Sequence, residues 1–432
     1  MMTSYALSDI YADLTWRNLI HQSTDEANLP QWLLGNSRTV YAGFDPTSDS
    51  LHIGNLMPLM MLRRFQRAGH RPIALAGGAT GMIGDPSGKS AERNLLSVEQ
   101  LQANLQAIDG QLRGILDFDC GDQSAVVVNN FDWMRSFSYL DFLRDVGKNF
   151  PVNVMLAKDS VKGRLERTDS GLSYTEFSYM LLQAFDFVHL FRNFECQLQV
   201  GGSDQWGNIT AGIDLGRRMC SAQLFGLTCP LLVKADGTKM GKTESGSIWL
   251  APEKTSPYAF YQYWFNVADA DVDKCLRFLT EIPEDEIESL AQQREASPET
   301  RASQTRLAEE VTTLIHGPTE LAKVIRATNV LHGAEIDQQT DEELNTIFAD
   351  VPSHELPKSQ LDDGLPILDA LVAAGLSNSK SDARRLVQQG GVYVNNRRLS
   401  DFNTKLDSSD LVTPTIIVLR SGKKKYALLR FQ

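Results

Sequence analysis

The sequence lacks any apolar run near the roughly 18 residues a membrane-spanning helix needs, so no transmembrane segment is expected. Its first stretch, Met1 to Ile20, has no basic region ahead of an apolar one and carries Asp9 and Asp13, which argues against a secretory or transit peptide. Cysteine is scarce: Cys120, Cys196, Cys220, Cys229 and Cys275 form an odd set with no C-x-x-C pair. In a large chain that points to reduced thiols in the cytoplasm and to neither a disulfide framework nor a bound metal. Two phosphate-binding patterns are also missing. Ala79-Thr80-Gly81-Met82-Ile83-Gly84-Asp85-Pro86-Ser87-Gly88-Lys89-Ser90 tempts a P-loop reading, but Gly84 stands one residue too close to Gly88 and Ile83 occupies the required glycine position. G-x-G-x-x-G is likewise absent after the preceding strand pattern, so a P-loop NTPase fails on spacing.

What is present is a chain of 432 residues with an apolar fraction of 42%, enough for two to four ordinary globular domains. Its charge is uneven. Residues 364–432 hold 11 Lys and Arg against 5 Asp and Glu, whereas the rest holds 31 against 49. An acidic body with a basic tail suggests a polyanionic partner for the tail.

The most informative stretch is Tyr41-Ala-Gly-Phe-Asp-Pro-Thr-Ser-Asp-Ser-Leu-His-Ile-Gly-Asn-Leu56. It opens on β-type residues, breaks at Gly43 and Asp45-Pro46-Thr47, and closes on His52-Ile53-Gly54-Asn55 before a helical pattern. Strand, turn and helix start in that order suit a phosphate, because a helix N-terminus presents unpaired N–H groups and a partial positive charge. Gly54 removes a side chain where a flat ligand can lie against the backbone.

Along the chain, helical spacing covers 4–35 with a turn at Leu29-Pro30, then 56–68, with Arg63, Arg64 and Arg67 opposite the apolar side and Gly69 as the stop. Arg71 to Ala76 is a continuously apolar strand, as in a parallel sheet covered on both faces, and completes a βαβ unit. Residues 98–116 are helical, 125–130 a strand, and 140–146 and 161–166 helical. Within the helix over 176–190, Tyr179, Gln183 and Asp186 fall at i, i+4 and i+7 and share one face. That line faces either solvent or a pocket, and the flanking Phe177, Phe185 and Phe187 favour the pocket. Cys196 to Val200 is a strand running into Gly201-Gly202-Ser203-Asp204-Gln205-Trp206-Gly207-Asn208 and a helix over 209–219. Ligands of open α/β sheets bind at the carboxyl ends of strands, so this turn and the one after Tyr41 face a common crevice. Pro230 to Val233 reads as a last strand, and 234–246, rich in Gly, Ser, Thr and Lys, as a mobile surface loop. A helical, acidic region follows to about 347, then a linker by composition over 352–366. The tail reads as two short helices and strands. Lys380, Arg384 and Arg385 lie on one helical face, Arg397 and Arg398 follow a turn, and Lys423 to Lys425 sit in a hairpin. Such a module suits a structured RNA backbone.

These blocks together resemble the tyrosyl-tRNA synthetases of class I over nearly the whole chain. His52-Ile53-Gly54-Asn55 resembles the first class I signature (HIGH), and Lys239-Met240-Gly241-Lys242-Thr243 the second (KMSKS). The resemblance implies an α/β fold: a Rossmann-like parallel-sheet catalytic domain over 1–248, an α-helical domain over 249–350, a linker over 351–364, and a small α+β S4-like RNA-binding domain over 365–432. It also implies tyrosine activation with ATP and Mg²⁺, transfer to tRNA(Tyr), a homodimer joined through the apolar 131–165 region, and a cytoplasmic location.

The implied roles follow the motifs. His52 and Thr47 stabilise the phosphates. Lys89, Arg93, Lys239 and Lys242 close over pyrophosphate. Gly43, Asp45, Gly54, Asn55, Gly201, Gly202 and Asp204 line the ATP site, Asp204 on the ribose. Gln205 contacts the substrate carboxyl group, and Asp85, Tyr179 and Gln183 its ammonium. Tyr41 and Asp186 meet the phenol. A site that hydrogen-bonds a hydroxyl rejects the analogue lacking it, of which this enzyme family is the usual illustration. Departures from the pattern are Asn55, whose amide can still donate to ATP, and Gly241 and Thr243, of which Gly241 adds flexibility. The rivals are a tryptophan-specific enzyme of the same class, which should lack the phenol pair and the basic tail, and a non-catalytic RNA-binding relic, against which the intact signature residues speak.

Overall fold

The computed structural model describes residues 5–87, 96–158, 161, 162, 165, 171–243, 246–336, 339–348, 351–422 and 425–432. The chain forms two compact units, Met1–Ile315 and His316–Gln432. The passage between them lies in a long helical span, Ala302–Leu331, broken at Gly317 (φ +85°) ahead of Pro318.

In the first unit the described strands are β1 (Gln22–Ser23), β2 (Thr39–Phe44), β3 (Arg71–Ala76), β4 (Val126–Asn129), β5 (Cys196–Gly202) and β6 (Phe225–Cys229). They form one sheet in the order β1-β6-β5-β2-β3-β4, parallel throughout except for β1. From β2 the chain runs outward through β3 to β4, and from β5 in the opposite direction to β6. The switch point is therefore the β2–β5 pair, where Tyr41 lies opposite Gln199. β3 is buried along almost its whole length, as its unbroken apolar run foretold, and β6 is buried throughout. The expected helices form over Leu56–Arg67, Val98–Ile115, Tyr174–Phe194 and Trp206–Cys220.

Three local expectations differ, and a fourth falls on residues that are not described. Pro30 starts a helix, Leu29–Gly35, instead of a turn, since the first helical turn tolerates a missing N–H. The last strand is Phe225–Cys229, ending at Pro230, which has no N–H for a ladder. Arg64 is buried, because its guanidinium reaches inward to the carbonyls of Arg277 and Thr280 and to Asp13. The helix over 161–166 falls largely outside the described residues.

The second signature is also more than a surface loop. It turns into a hairpin of β7 (Lys242–Thr243) and β8 (Gly246–Ser247), and Met240 is buried beside Cys275.

The second unit is built on β9 (Ser353–Leu356), β10 (Leu365–Pro366), β11 (Val392–Val394), β12 (Arg397–Leu399), β13 (Lys405–Leu406), β14 (Ile416–Ser421) and β15 (Lys425–Phe431). Its main sheet runs β12-β11-β14-β15-β9, with β10 and β13 paired separately. The period of two along β14 serves two layers. Ile417 and Leu419 pack with Leu371, Ala383 and Val387 of the helices Ile367–Ala373 and Lys380–Gln388. Ile416 and Val418 pack with Val330, Leu344 and Phe348. The presumed linker thus holds β9, which pairs in parallel with β15. Its polar composition, flanked by Pro352 and Pro357, is that of an edge strand.

Candidate active site

A pocket of about 480 Å³ opens at the carboxyl ends of β2 and β5. Its lining includes Tyr41, Gly43, Asp45, Thr47, His52, Gly54, Asn55, Asp85, Tyr179, Gln183, Asp186, Gly201, Gly202, Asp204, Gln205, Lys239 and Lys242. Residues separated by two hundred positions meet there because the switch point places their strand ends side by side. Lys89 and Arg93 lie outside the described residues.

At the floor sit two buried polar groups. Tyr41 is 1% exposed, packs edge-on against Phe187, and its Oη has no hydrogen-bond partner among the described residues. Burial holds its phenol well above the usual range, so it is a proton donor. Asp186 is equally buried. Its Oδ1 accepts from Trp133 Nε1 at 2.9 Å and its Oδ2 from Asn130 Nδ2 at 3.0 Å. Desolvation raises its pKa to about 7, against the opposing pull of the Asn130 and Trp133 hydrogen bonds. A carboxylate has about four lone-pair sites, so capacity for a further donor remains.

From Asp186 a chain of side-chain hydrogen bonds runs up the pocket wall. Asn130 Nδ2 donates to Thr80 Oγ1 at 3.0 Å, Thr80 Oγ1 to Asp45 Oδ1 at 2.7 Å, and Tyr179 Oη to Asp45 Oδ2 at 2.8 Å. A second cluster stands beside it. Gln205 Nε2 donates to Asp85 Oδ2 at 2.7 Å and Gln183 Nε2 to Gln205 Oε1 at 3.2 Å, while Asn208 Nδ2 donates to Gln183 Oε1 at 3.1 Å. Burial and the neighbouring Asp85 raise the Asp204 pKa. Carboxylates clustered this closely favour a ligand bearing a positive charge.

The outer part is made by the two signatures. His52 starts the short helix Ile53–Asn55. Its Nδ1 accepts from the Gly54 N–H at 3.1 Å, while Asn55 Oδ1 accepts the His52 N–H at 3.0 Å. With Nδ1 accepting, the neutral ring carries its hydrogen on Nε2. Asn55 likewise keeps its amide N–H₂ as donor while its oxygen caps the turn. A Cβ at position 54 would stand 2.8 Å from His52 Cε1, so that glycine makes room for the imidazole itself. Gly241 has φ +83° and a Cβ there would stand 2.4 Å from Ile53 Cγ1. Its glycine answers a close approach of the second signature to the first rather than a need for added flexibility.

Comparison with known proteins agrees with this geometry. The family of class I tRNA synthetases (W and Y) matches residues 35–333, and the tyrosine–tRNA ligase SYY-like C-terminal domain matches 343–429. The tyrosine–tRNA ligase of Rhodopirellula baltica is 58% identical over 433 residues, covering 100% of this chain and 98% of that protein. That of Roseiflexus castenholzii is 52% identical over 425 residues, covering 98% and 100%. The chain belongs to the class I tyrosine–tRNA ligase family. Among solved structures, a C-terminally truncated Aspergillus nidulans mitochondrial tyrosyl-tRNA synthetase superposes with a TM-score of 0.68 at 32% identity, covering 75% of this chain and 94% of that one.

Sequence reasoning missed several residues that shape this synthetase site. Asn130 and Trp133 stand at a strand end far from any motif, and Thr80 looked like part of a loop. Asn208 closed a recognised block but carried no role. Gln199, buried and facing Tyr41 across the strand pair, lines the pocket with its Oε1 unpartnered among the described residues. In the second unit, Lys380, Arg384, Arg385, Arg397 and Arg398 are all exposed. Lys380 pairs with Asp369, Arg385 with Asp382 and Arg397 with Glu335, and Arg384 stacks over Phe402.

Proposed function

We propose that the pocket reads tyrosine at its floor and ATP at its mouth, so that the substrate carboxylate attacks the α-phosphate to give tyrosyl-adenylate and pyrophosphate, with tyrosyl transfer to tRNA(Tyr) following. The observation that carries this reading is the unpartnered Tyr41 hydroxyl beside the Asp186 carboxylate. A phenol supplies what both require: its oxygen accepts from Tyr41 and its hydrogen goes to Asp186. The ammonium is held by Asp85, Tyr179 and Gln183, and the carboxyl group by Gln205. Asp45 acts through Tyr179 and Thr80, at the amino-acid side as much as at the ATP side.

ATP lies over Gly43, Gly54, Gly201 and Gly202 with its ribose on Asp204, and enters as its Mg²⁺ salt. Among the described residues no cluster of His, Cys, Asp and Glu is suited to holding a metal of its own. Thr47, the His52 Nε2–H and the Asn55 amide donate to the phosphates. Lys239 and Lys242 meet the departing pyrophosphate, joined by Lys89 and Arg93. Nothing here requires a covalent intermediate on the protein, so the rate arises from placement and charge stabilisation.

Catalysis is assigned to 1–248, and tRNA contact to 249–350 and the basic face of 365–432, with Lys380, Arg384, Arg385, Arg397 and Arg398 on the phosphates. Exposed Tyr139, Leu140, Val152, Val154 and Leu156 support a homodimer joined through the apolar 131–165 region. A cytoplasmic location fits reduced thiols; all five cysteines are unpaired. Amino-acid-dependent ATP–pyrophosphate exchange tests the assignment. Exchange with tyrosine is expected; exchange with tryptophan alone, or none, overturns it.

A further inference from the structure

The turn between Lys239 and Lys242 is held from outside the pocket. Gly241 N–H donates to Tyr263 Oη at 2.8 Å. Tyr263 belongs to the helix Pro257–Phe265 and is absent from the pocket lining. Its ring is half-buried edge-on against Trp264 at 5.0 Å, so the hydroxyl is presented by a rigid element. The same glycine is seated on Ile53, where no Cβ fits. Two further main-chain bonds fix its surroundings: Met240 N–H to Leu232 O at 3.0 Å, and Ile248 N–H to Gly241 O at 2.9 Å. Ile248 O in turn accepts the Ile53 N–H at 3.1 Å. The second signature is therefore registered against the first through one residue, Gly241, whose N–H points away from the pocket to a phenol.

We infer that Tyr263 is a positioning residue of the activation step. By accepting the Gly241 N–H it sets the turn on Ile53 and so aims Lys239 and Lys242 at the pyrophosphate. This rests on the assignment of those lysines to pyrophosphate. Phenylalanine keeps the ring and removes the acceptor, which leaves the N–H of buried Gly241 unpaired and releases the turn to other orientations. Tyr263 touches neither tyrosine nor the adenosine surface, so its loss acts on the rate of the chemical step alone.

The test measures single-turnover adenylate formation and equilibrium tyrosine binding in the full-length protein. Tyr263→Phe is expected to slow adenylate formation about tenfold, the scale of one hydrogen bond, with the tyrosine Kd essentially unchanged and only a small fall in Tm from the unpaired N–H. Gly241→Ala, which breaks the same seat from the other side, is expected to show the same split with a larger rate loss. In a Lys239→Ala/Lys242→Ala background the effect of Tyr263→Phe should vanish, because the groups it aims are gone. An undiminished tenfold effect in that background, an equal loss of tyrosine affinity, or an unchanged rate overturns the inference. If the double lysine variant itself activates tyrosine at the normal rate, the lysine assignment has failed, and Tyr263→Phe then has nothing to aim.

Discussion

Replacing Tyr41 by phenylalanine separates a stability role from a recognition role with unusual clarity. In the free protein the Tyr41 hydroxyl is buried, 1% of the residue being exposed, and unpartnered among the described residues. Such a group costs about 1–3 kcal/mol. Deleting it relieves that cost, while the ring stays packed on Phe187 with centroids 5.1 Å apart. Folding stability should therefore hold or rise. Tyrosine binding gives the hydroxyl its partner, so the variant forgoes the same 1–3 kcal/mol. That is a loss of roughly 5- to 150-fold in kcat/KM for tyrosine at about 1.4 kcal/mol per factor of ten. Phenylalanine leaves the hydroxyl unpaired before and after binding, so its kcat/KM should scarcely change. Selectivity then falls by the same factor, and further when Asp186→Asn is added. Pyrophosphate exchange with both amino acids measures the ratio, and calorimetry the Tm. Equal losses for the two amino acids, an unchanged ratio, or a Tm lowered by several degrees would refute the reasoning.

Asp186 makes tyrosine binding depend on pH. Its carboxyl group titrates near 7 in the free protein, and an ammonium-bearing ligand with a phenol donor favours the ionised form, so binding should tighten as pH rises through 7. A tyrosine Kd that stays flat between about pH 6 and 8 removes the assignment; Asp186→Asn should produce that flat profile. The same raised pKa means that the stability Asp186 contributes in its protonated form is full below the ordinary carboxylate range and lost as pH rises through about 7, a trend that bound tyrosine reverses. Truncation tests the second unit. A chain ending at Ile315 should keep pyrophosphate exchange and lose tRNA charging by about tenfold or more at moderate salt, whereas intact charging excludes the basic unit from RNA binding. Cutting after Asp363 instead strands β9 without β15 and bares Phe348 and Leu344, so that shorter deletion should aggregate.

Local chemistry made much of this legible. Tyr41 to Leu56 announced a strand, a turn and a helix start, and its own residues form them. Tyr179, Gln183 and Asp186 shared a face by helical spacing alone, and the structure places all three on one pocket. What misled was composition read without a partner. Ser353 to Leu356 looks like linker until β15 is beside it. Phe225 to Cys229 contains Gly226 and Thr228, and its strand character comes from burial between β5 and β1. Arg64 looks solvated until the carbonyls of Arg277 and Thr280 are known to lie over it.

Turn residues, helical spacing and signature side chains act over a few positions, so most elements, both signatures and the kind of chemistry were legible in the chain alone. Which groups answer each other across the switch point depends on the folded sheet. Asn130 and Trp133 hold Asp186, Thr80 joins it to Asp45, and Ile53 leaves Gly241 no room for a side chain. Those pairings join residues 35 to 188 positions apart, and their energies exist only once the sheet has set the strand ends side by side.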